Sequence, residues 1–437
     1  MARVVDFIKN LQKKRSFRVL IVIGDIPNSI RSELEFIPKS HRLWIFQIRG
    51  HWAKVAITIH RKLVWLPLPF LSRVLIRKIK ALQLPIVFIH FGFYHAPFSH
   101  FERYFISQFN NPHSFFIYFS NLSLPEVSIS LPWQPCFTLF EGTADLTQEG
   151  DTKITVMGTF NPPEVLASSR PIRVLAIMTA YNEGDIIEHT IRALISQGID
   201  VYLIDNWSTD DTYQKASQFL DQGLIGIEQF PSSGPSQYYH WGELLKRVDA
   251  LAMSMPHDWI IHHDADEIRY GPWPEVNLRD SLQMIDSLGY TAADHCLLNF
   301  QPIDNGYSSD ISPEPYFKFF EFGKSVDSPQ VKAWKNQFSL VHLDQFGGHS
   351  VRFPSLKVFP FQFIIKHYRI RSDDHGRKKV FQDRKSRWDP EERSKGWHIQ
   401  YDSVQLDTSF IKSPENCFLF DEQSFYTDYL VERFTWR

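Results

Sequence analysis

The chain has 437 residues, of which 43% are hydrophobic and 22% are charged, so it suits two or three domains and wholesale disorder is excluded. The formal net charge of -2 hides an asymmetry, because residues 1–100 carry 17 Lys and Arg against 4 Asp and Glu, whereas the rest carries 30 against 45. Three widely spaced cysteines, Cys136, Cys296 and Cys417, match no disulfide or zinc spacing, which favours a reducing compartment.

Residues 1–165 predict a mixed α/β domain without a recognisable chemical motif. Short apolar runs indicate strands at Val19–Ile23, Leu43–Ile48, Val55–Ile59, Ile86–Phe91, Phe115–Phe119 and Phe137–Phe140. A helix is predicted over Ser99–Phe109. Polar stretches rich in proline, serine and charge, at 143–153 and 161–171, indicate a linker.

The sequence shows no transmembrane helix and no signal peptide. The stretch 61–80 combines apolar residues with Arg73, Arg77, Lys78 and Lys80, which is typical of a peripheral contact with anionic lipid, or simply of a solvated surface. Nucleic-acid binding is disfavoured because the basic residues are scattered among apolar runs. We therefore expect a cytoplasmic protein, and contact with the inner face of the cell membrane through this basic region stays open.

After Pro171 the pattern predicts alternating strands and helices. Apolar strands are predicted at Val174–Met178, Val201–Ile204, Leu224–Ile227 and Trp259–Ile261. Helices are predicted to begin at Asp185, with a capping box to Glu188, at Asp210–Thr212 and at Trp241. This alternation indicates a doubly wound, mostly parallel sheet, in which ligands bind outside the carboxyl ends of the strands.

Polar loops follow three of these strands. They read TAYNEGD at 179–185, DNWSTDDT at 205–212 and HHDADE at 262–267. Five or more carboxylates at one sheet edge repel one another, and Mg²⁺ or Mn²⁺ is the usual remedy, since both prefer oxygen ligands. Neither a P-loop nor a dinucleotide-binding fingerprint is present.

The three motifs together resemble the bacterial family 2 glycosyltransferases of GT-A fold. The resemblance implies that Thr179, Tyr181 and Asp205 contact the nucleotide base. It also implies that Asp264 contacts the ribose or the metal and that Asp266 is a direct metal ligand. One position departs from the pattern, because Asn206 stands where many members have a second Asp. Its amide could still bind a base edge, but the departure weakens the expectation of uridine.

The resemblance continues into the basic stretch that ends at Arg387. By analogy with a late histidine of GT-A enzymes, His367 is the candidate third metal ligand, and Arg371, Arg377 and Lys378 are predicted to meet the diphosphate. The alternative for this stretch is a solvated basic helix face. The resemblance covers about residues 172–402, which predicts a GT-A domain there and leaves 403–437 as a C-terminal extension.

These features predict a metal-dependent, inverting glycosyltransferase that uses Mn²⁺ or Mg²⁺ and a nucleotide-sugar donor. The expected acceptor is a glycan, polysaccharide or lipid-linked hydroxyl, in bacterial polysaccharide biosynthesis by family analogy alone. Inversion needs a general base. Fold analogy places it between Asp266 and His367, with Asp304 preferred over Asp294. The alternatives are a nucleotidyltransferase on a similar sheet and a non-catalytic, membrane-associated scaffold.

Overall fold

The computed structural model describes eight strands between residues 19 and 161, and residues 170–425 apart from 275, 288, 324–329, 395, 398–400 and 423–424. The chain divides into two units, Met1–Val165 with Glu422–Arg437, and Leu166–Asp421. Within the described ranges, no helix combines the length and the apolar character needed to cross a membrane.

The first unit contains one eight-stranded sheet among its described residues. Its strands are β1 (Val19–Gly24), β2 (Arg42–Ile48), β3 (Lys54–Ile59), β4 (Lys62–Pro67), β5 (Ile86–Phe91), β6 (Phe115–Ser120), β7 (Cys136–Glu141) and β8 (Val156–Asn161). The strand order is β4-β3-β2-β1-β5-β6-β7-β8, with parallel pairs from β2 to β7 and antiparallel pairs at both edges.

All six strands predicted in this unit are confirmed, whereas β4 and β8 were not predicted from the sequence. Strand β4 occupies part of the basic stretch 61–80, and the rest of that stretch lies outside the described residues. The helix predicted over Ser99–Phe109 and the linker stretch 143–153 also lie outside them.

The second unit contains ten strands and seven α-helices among its described residues. The strands are β9 (Val174–Ala180), β10 (Asp200–Asp205), β11 (Leu224–Gln229), β12 (Trp259–Asp264), β13 (Glu267–Tyr270), β14 (Ala292–Phe300), β15 (Phe319–Phe322), β16 (Ala333–Lys335), β17 (Val358–His367) and β18 (Phe418–Leu419). The helices are α1 (Ile187–Ser196), α2 (Thr212–Ser217), α3 (Trp241–Ser254), α4 (Leu278–Ser287), α5 (Pro313–Tyr316), α6 (Asp373–Arg377) and α7 (Pro390–Ser394). A π-helix, Lys378–Arg384, follows α6, and short 3-10 turns lie at Leu343–Phe346, Lys385–Arg387 and Pro414–Asn416.

The sheet of this unit is mixed, and the part of it that precedes the three polar loops is parallel. The strand order is β11-β10-β9-β12-β16-β14-β15-β18, while β17 pairs with β14 and β13. Strands β9 to β12 are parallel neighbours, and β12 adjoins β9 on the side opposite β10. The chain therefore reverses its direction of winding at β9, which creates a ligand crevice at the carboxyl ends of β9, β10 and β12. The predicted α/β sheet with parallel strands at this edge is confirmed for this unit.

Helix α1 forms as its apolar spacing predicts, but its start differs from the prediction. Ile187, Ile191 and Leu194 are buried on one face, and Gly198 follows the helix with a φ of 73°, in the left-handed region. The predicted capping box is wrong, because the N-cap is Ile186 and no side chain caps the helix. The carboxylate of Asp185 instead binds a distant arginine, as described below.

Strand β12 is longer than predicted and carries the acidic motif into the sheet. It runs through His262 and His263 to Asp264, and both histidines are fully buried. The register pairs Asp264 with Thr179 on β9, and Thr179 with Ile204 on β10. Residues from three separate motifs thus lie side by side at one sheet edge.

A buried apolar layer holds this edge in place. Helix α3 packs Leu244, Leu245 and Val248 against Ile177 and Ile260 of the sheet, in one cluster with Trp334. Fully burying one such aliphatic side chain contributes about 1.5–3 kcal/mol. The site is therefore supported by strands and a helix that are themselves firmly packed.

Candidate active site

The acidic edge of the sheet is built around Asp266, in the turn between β12 and β13. Its Oδ2 accepts a hydrogen bond from the buried ammonium of Lys379 at 2.8 Å. Burial alone would raise the pKa of Asp266, but Lys379 and His367 hold that pKa well below its ordinary value. Asp266 is therefore an ionised carboxylate at neutral pH.

Asp264 and Glu267 share a second buried lysine. The Nζ of Lys332 donates to Asp264 Oδ2 at 2.6 Å and to Glu267 Oε1 at 3.0 Å. Burial tends to raise the pKa of both carboxyls, yet Lys332 is the leading cause that lowers both below their ordinary values. The side chain of Asp264 remains 31% exposed, so this carboxylate faces the crevice.

His367 lies beside Asp266, at the end of β17. Its Nε2 is 3.5 Å from Asp266 Oδ1, and its Nδ1 lies 2.9 Å from Asn299 Oδ1. In the neutral imidazole, an Nδ1–H that donates to Asn299 would leave the Nε2 lone pair free for a cation shared with Asp266. Imidazole nitrogen and carboxylate oxygen both suit Mn²⁺, so Asp266 and His367 fit a shared divalent cation.

Arg371 is placed differently from its predicted role. It is fully buried, and its Nη2 donates to Glu183 Oε2 at 2.7 Å and to Asp185 Oδ1 at 2.6 Å. Its Nε donates to Asp185 Oδ2 at 2.7 Å, and its Nη1 donates to the Tyr368 carbonyl at 2.9 Å. The predicted diphosphate contact is therefore corrected, because the guanidinium of Arg371 donates its hydrogen bonds to groups inside the protein. These bonds join the first polar loop to the end of β17.

The same guanidinium explains a second acidic grouping. Glu183, Asp185 and His375 each place a ligand atom within 4.8 Å of the others, a spacing that a metal ion could occupy. Arg371 already bonds both carboxylates, and its Nη2 lies 2.7 Å from His375 Nε2. The positive charge that these groups require is thus supplied by Arg371.

The predicted base-binding residues gather at the ends of β9 and β10. Asp205 is fully buried, its Oδ2 accepts from the Ser208 amide at 3.0 Å, and its Oδ1 is a buried oxygen without a hydrogen-bond partner. Burial raises the pKa of this carboxyl. Asn206 donates to the Phe230 carbonyl at 2.9 Å and accepts from Arg387 at 2.9 Å, so both ends of its amide are engaged inside the protein.

Tyr181 and Arg387 form a flat wall beside these groups. The Arg387 guanidinium lies 3.8 Å from the centroid of the Tyr181 ring, a cation–π contact. The hydroxyl-bearing Thr179 is 8% exposed and neighbours Asp264 in register. The structure therefore brings Thr179, Tyr181 and the Asp205 turn together at the edge where Asp264 and Asp266 lie.

A single asparagine ties the site together. Asn182 has a φ of 55°, a left-handed conformation that asparagine tolerates better than most residues. Its Oδ1 accepts from the Thr209 amide at 2.8 Å, and its Nδ2 donates to Asp383 Oδ1 at 2.9 Å. Three segments that are distant in sequence are thereby fixed to one another: the first loop, the second loop and the π-helix.

The two remaining basic predictions point away from the acidic edge. Lys378 is exposed, and Arg377 donates to Asp373 Oδ2 at 2.8 Å on its own helix. Lys379, next in sequence, is the residue that enters the site, where it also binds Glu183 Oε1 at 2.6 Å. The sequence could not distinguish Lys378 from Lys379, and nothing in it indicated Lys332, which lies more than sixty residues from the acidic motif.

Neither predicted general base lies in the acidic cluster. Asp294 is buried near the start of β14, and its carboxylate accepts from the amides of His295 and Gln330 and from Gln362. Asn299, which contacts His367, lies five residues further along the strand, or roughly 17 Å at ~3.3 Å per residue. The prediction that Asp294 is the general base is therefore corrected: its carboxylate binds buried amide groups and has a structural role.

Asp304 lies in an exposed loop beyond β14. Its carboxylate accepts from the Gly306 amide at 2.9 Å and from the Tyr316 hydroxyl. These bonds hold the pKa of Asp304 below its ordinary value. Its role as the general base stays a prediction.

The fold and this edge define an α/β protein with an acidic, cation-suited ligand crevice at a topological switch point. The model of glycosyl transferase family 2 matches residues 175–268, so this part of the chain is similar to the family 2 glycosyltransferases. The matched range contains the three polar loops that carried the resemblance. A search of curated proteins found no match.

Solved structures with partial likeness include the 1–349 fragment of S. aureus TarS in complex with UDP, at 18% identity and a TM-score of 0.23. A mycobacterial protein has 17% identity and a TM-score of 0.20. This chain covers only 37% and 41% of those two chains, and 31% and 30% of its own length is covered. A ketoreductase domain from the bacillaene assembly line has 11% identity and a TM-score of 0.16. Because these scores are low, the family assignment rests on the sequence match.

Proposed function

We propose that the protein is a metal-dependent glycosyltransferase that moves a sugar from a nucleotide-diphosphate sugar to an acceptor hydroxyl. The observation that carries the proposal is the contact between Asp266 and His367, directly after the strand that ends at Asp264 and within or next to the range that matches family 2. The TarS fragment is described in complex with UDP, which agrees with a nucleotide donor.

The nucleoside would occupy the side of the crevice formed by β9 and β10. Asp205 offers a buried, unpartnered carboxylate oxygen to a base N–H, and Tyr181 offers an aromatic face. Asn206 acts indirectly, because its amide oxygen holds Arg387 against Tyr181. The departure from the Asp-Asp pattern thus places an arginine, rather than an acidic side chain, beside the base.

The diphosphate would lie over Asp264 and Asp266. The chemistry supplied by a cation bound to Asp266 and His367 is neutralisation of the charge that develops on the leaving diphosphate. The chain's own contribution is a fixed arrangement: Lys379 orients Asp266, Asn299 orients His367, and the sheet register orients Asp264. Among the basic residues of the last stretch, Arg384 lies above the ring of Tyr239 and is the candidate for a direct diphosphate contact.

Inversion at the anomeric carbon, the glycan or lipid-linked acceptor and a setting in bacterial polysaccharide biosynthesis are further parts of the proposal that rest on family analogy. A cytoplasmic location with peripheral membrane contact through the basic stretch 61–80 rests on the charge pattern of residues 1–100.

The proposal is tested by incubating the full chain with UDP-, GDP-, dTDP- and CDP-sugars and Mn²⁺, and by measuring release of the nucleoside diphosphate. We expect turnover with one donor class and a loss of about 100-fold or more in Asp266→Asn. Asp407→Asn, a change at an exposed position, is the matched control and should retain activity.

Two outcomes would contradict the proposal. A nucleotidyltransferase would instead form a nucleotide sugar and inorganic pyrophosphate from a sugar phosphate and a nucleoside triphosphate. That reaction, without release of a nucleoside diphosphate from a nucleotide sugar, would contradict the proposal. Absence of turnover with every donor, together with absence of nucleotide binding, would indicate a non-catalytic scaffold.

A further inference from the structure

Lys332 is a buried cation in the immediate surroundings of the acidic motif. Its side chain is 2% exposed, and its ammonium bridges Asp264 Oδ2 and Glu267 Oε1 at 2.6 and 3.0 Å. Its carbonyl accepts from the amide of His262, so the adjoining backbone of the lysine is fastened to β12. The position of the ammonium is therefore fixed by the sheet and by two carboxylates together.

The surrounding charges are nearly balanced without a metal. Five carboxylates contact four cationic side chains in two separate groups of ion pairs: Asp264 and Glu267 with Arg269 and Lys332, and Glu183, Asp185 and Asp266 with Arg371 and Lys379. One net negative charge remains. The free protein can consequently hold its acidic edge together with its own lysines and arginines.

This balance weakens the attraction between the free site and a divalent cation. The ammonium of Lys332 occupies one oxygen of Asp264, and a metal that binds the other oxygen has a positive charge as its neighbour. A nucleoside diphosphate brings its own negative charge to the crevice and offsets that repulsion. Metal and nucleotide should therefore bind the edge more strongly together than either does alone.

We propose that Lys332 is a positioning residue that makes metal binding conditional on the nucleotide, a role that rests on the proposed donor site. Lys332 acts through Asp264, which it holds in place and partly neutralises, and it does not itself contact the diphosphate. Removal of its charge should convert the site from a nucleotide-dependent metal site into one that binds the metal alone.

The test measures free Mn²⁺ by electron paramagnetic resonance during titration of the full chain, with and without UDP, GDP, dTDP or CDP. In wild type we expect weak binding of Mn²⁺ alone and stronger binding with one of the nucleotides. In Lys332→Met, binding of Mn²⁺ alone should strengthen by about tenfold, and the nucleotide should add less. Lys332→Arg keeps the charge and should restore the wild-type dependence on nucleotide.

Unchanged or weaker binding of Mn²⁺ alone by Lys332→Met would overturn the inference. If this variant does not fold, Lys332→Gln removes the same charge but keeps an amide that can donate to both carboxylates, and it should show a gain in Mn²⁺ binding in the same direction. Nucleotide binding by wild type with no gain in either variant overturns this inference alone. Failure of wild type to bind any of the four nucleotides with Mn²⁺ overturns the proposed function as well.

Discussion

At the scale of single residues, the acidic edge depends on buried lysines that neutralise it from within. Lys379 is 5% exposed and joins Glu183 on the first loop to Asp266 after β12. Burial lowers the pKa of this amine, but Asp266 and Glu183 outweigh burial and raise the pKa above its ordinary value. Lys379 therefore stays charged at neutral pH.

Loss of this charge should destabilise the fold. In Lys379→Met two buried carboxylates lose their common partner, and we expect the free energy of unfolding to fall by about 3–5 kcal/mol. The measurement is urea denaturation at pH 7. The neighbouring exposed substitution Lys378→Met is the matched control and should change stability by no more than about 0.5 kcal/mol. Equal effects of the two changes would contradict the assigned contacts.

Sequence reasoning identified these residues unevenly, for physical reasons. Asp264 and Asp266 could be predicted because they directly follow an apolar strand, and parallel strands place such residues at one edge. Arg371 was assigned to the ligand because sequence alone cannot show that Glu183 and Asp185 lie against it. Contacts between residues nearly two hundred positions apart depend on tertiary packing, which no local pattern contains.

At the scale of elements, the segment from α6 to the turn at Arg387 covers the edge of the sheet. Three of its side chains form hydrogen bonds with the edge: Lys379 with Asp266, Asp383 with Asn182, and Arg387 with Asn206. The π-helix within it shifts the phase of its side chains relative to an α-helix. This change of pitch also explains why the sequence did not reveal which of two adjacent lysines faces inward.

The contact between α3 and the 3-10 turn Leu343–Phe346 has a pH dependence of its own. Asp249 on α3 is 3% exposed and accepts from the amide of Leu343 at 3.3 Å. Burial raises the pKa of this carboxyl to about 6. The native state thus binds this proton more tightly than the unfolded chain does, and the stabilisation is lost as the pH rises from about 4 to about 6.

Asp249→Asn removes this titration while keeping the shape of the side chain. Relative to wild type, the variant should gain stability as the pH rises from 4 to 7, by up to about 3 kcal/mol for two pKa units. Thermal and urea unfolding at pH 4, 5, 6 and 7 provide the measurement. A stability difference that does not change with pH would show that Asp249 does not titrate in this range.

At the scale of the whole molecule, two sheets with parallel strands at their centre occur in one chain, and the match to glycosyl transferase family 2 lies in the second unit. The sheet class of both units could be predicted from apolar runs and their spacing. The edge strands β4 and β8 were not predicted because Lys62 and Pro67 leave only a short apolar run between them in β4, and Gly158 interrupts the apolar pattern of β8. The role of the first unit, including membrane contact, stays a prediction.

The central claim is that the edge formed by Asp264, Asp266 and His367 binds a nucleoside diphosphate together with a divalent cation. Isothermal titration calorimetry of UDP, GDP, dTDP and CDP into the full chain, with Mn²⁺ and with EDTA, tests it most directly. We expect one diphosphate to bind with Mn²⁺, and this binding to be lost with EDTA and in Asp266→Asn but retained in Asp407→Asn. Absence of binding by every nucleotide to folded wild-type protein, or equal binding by Asp266→Asn, would contradict the claim.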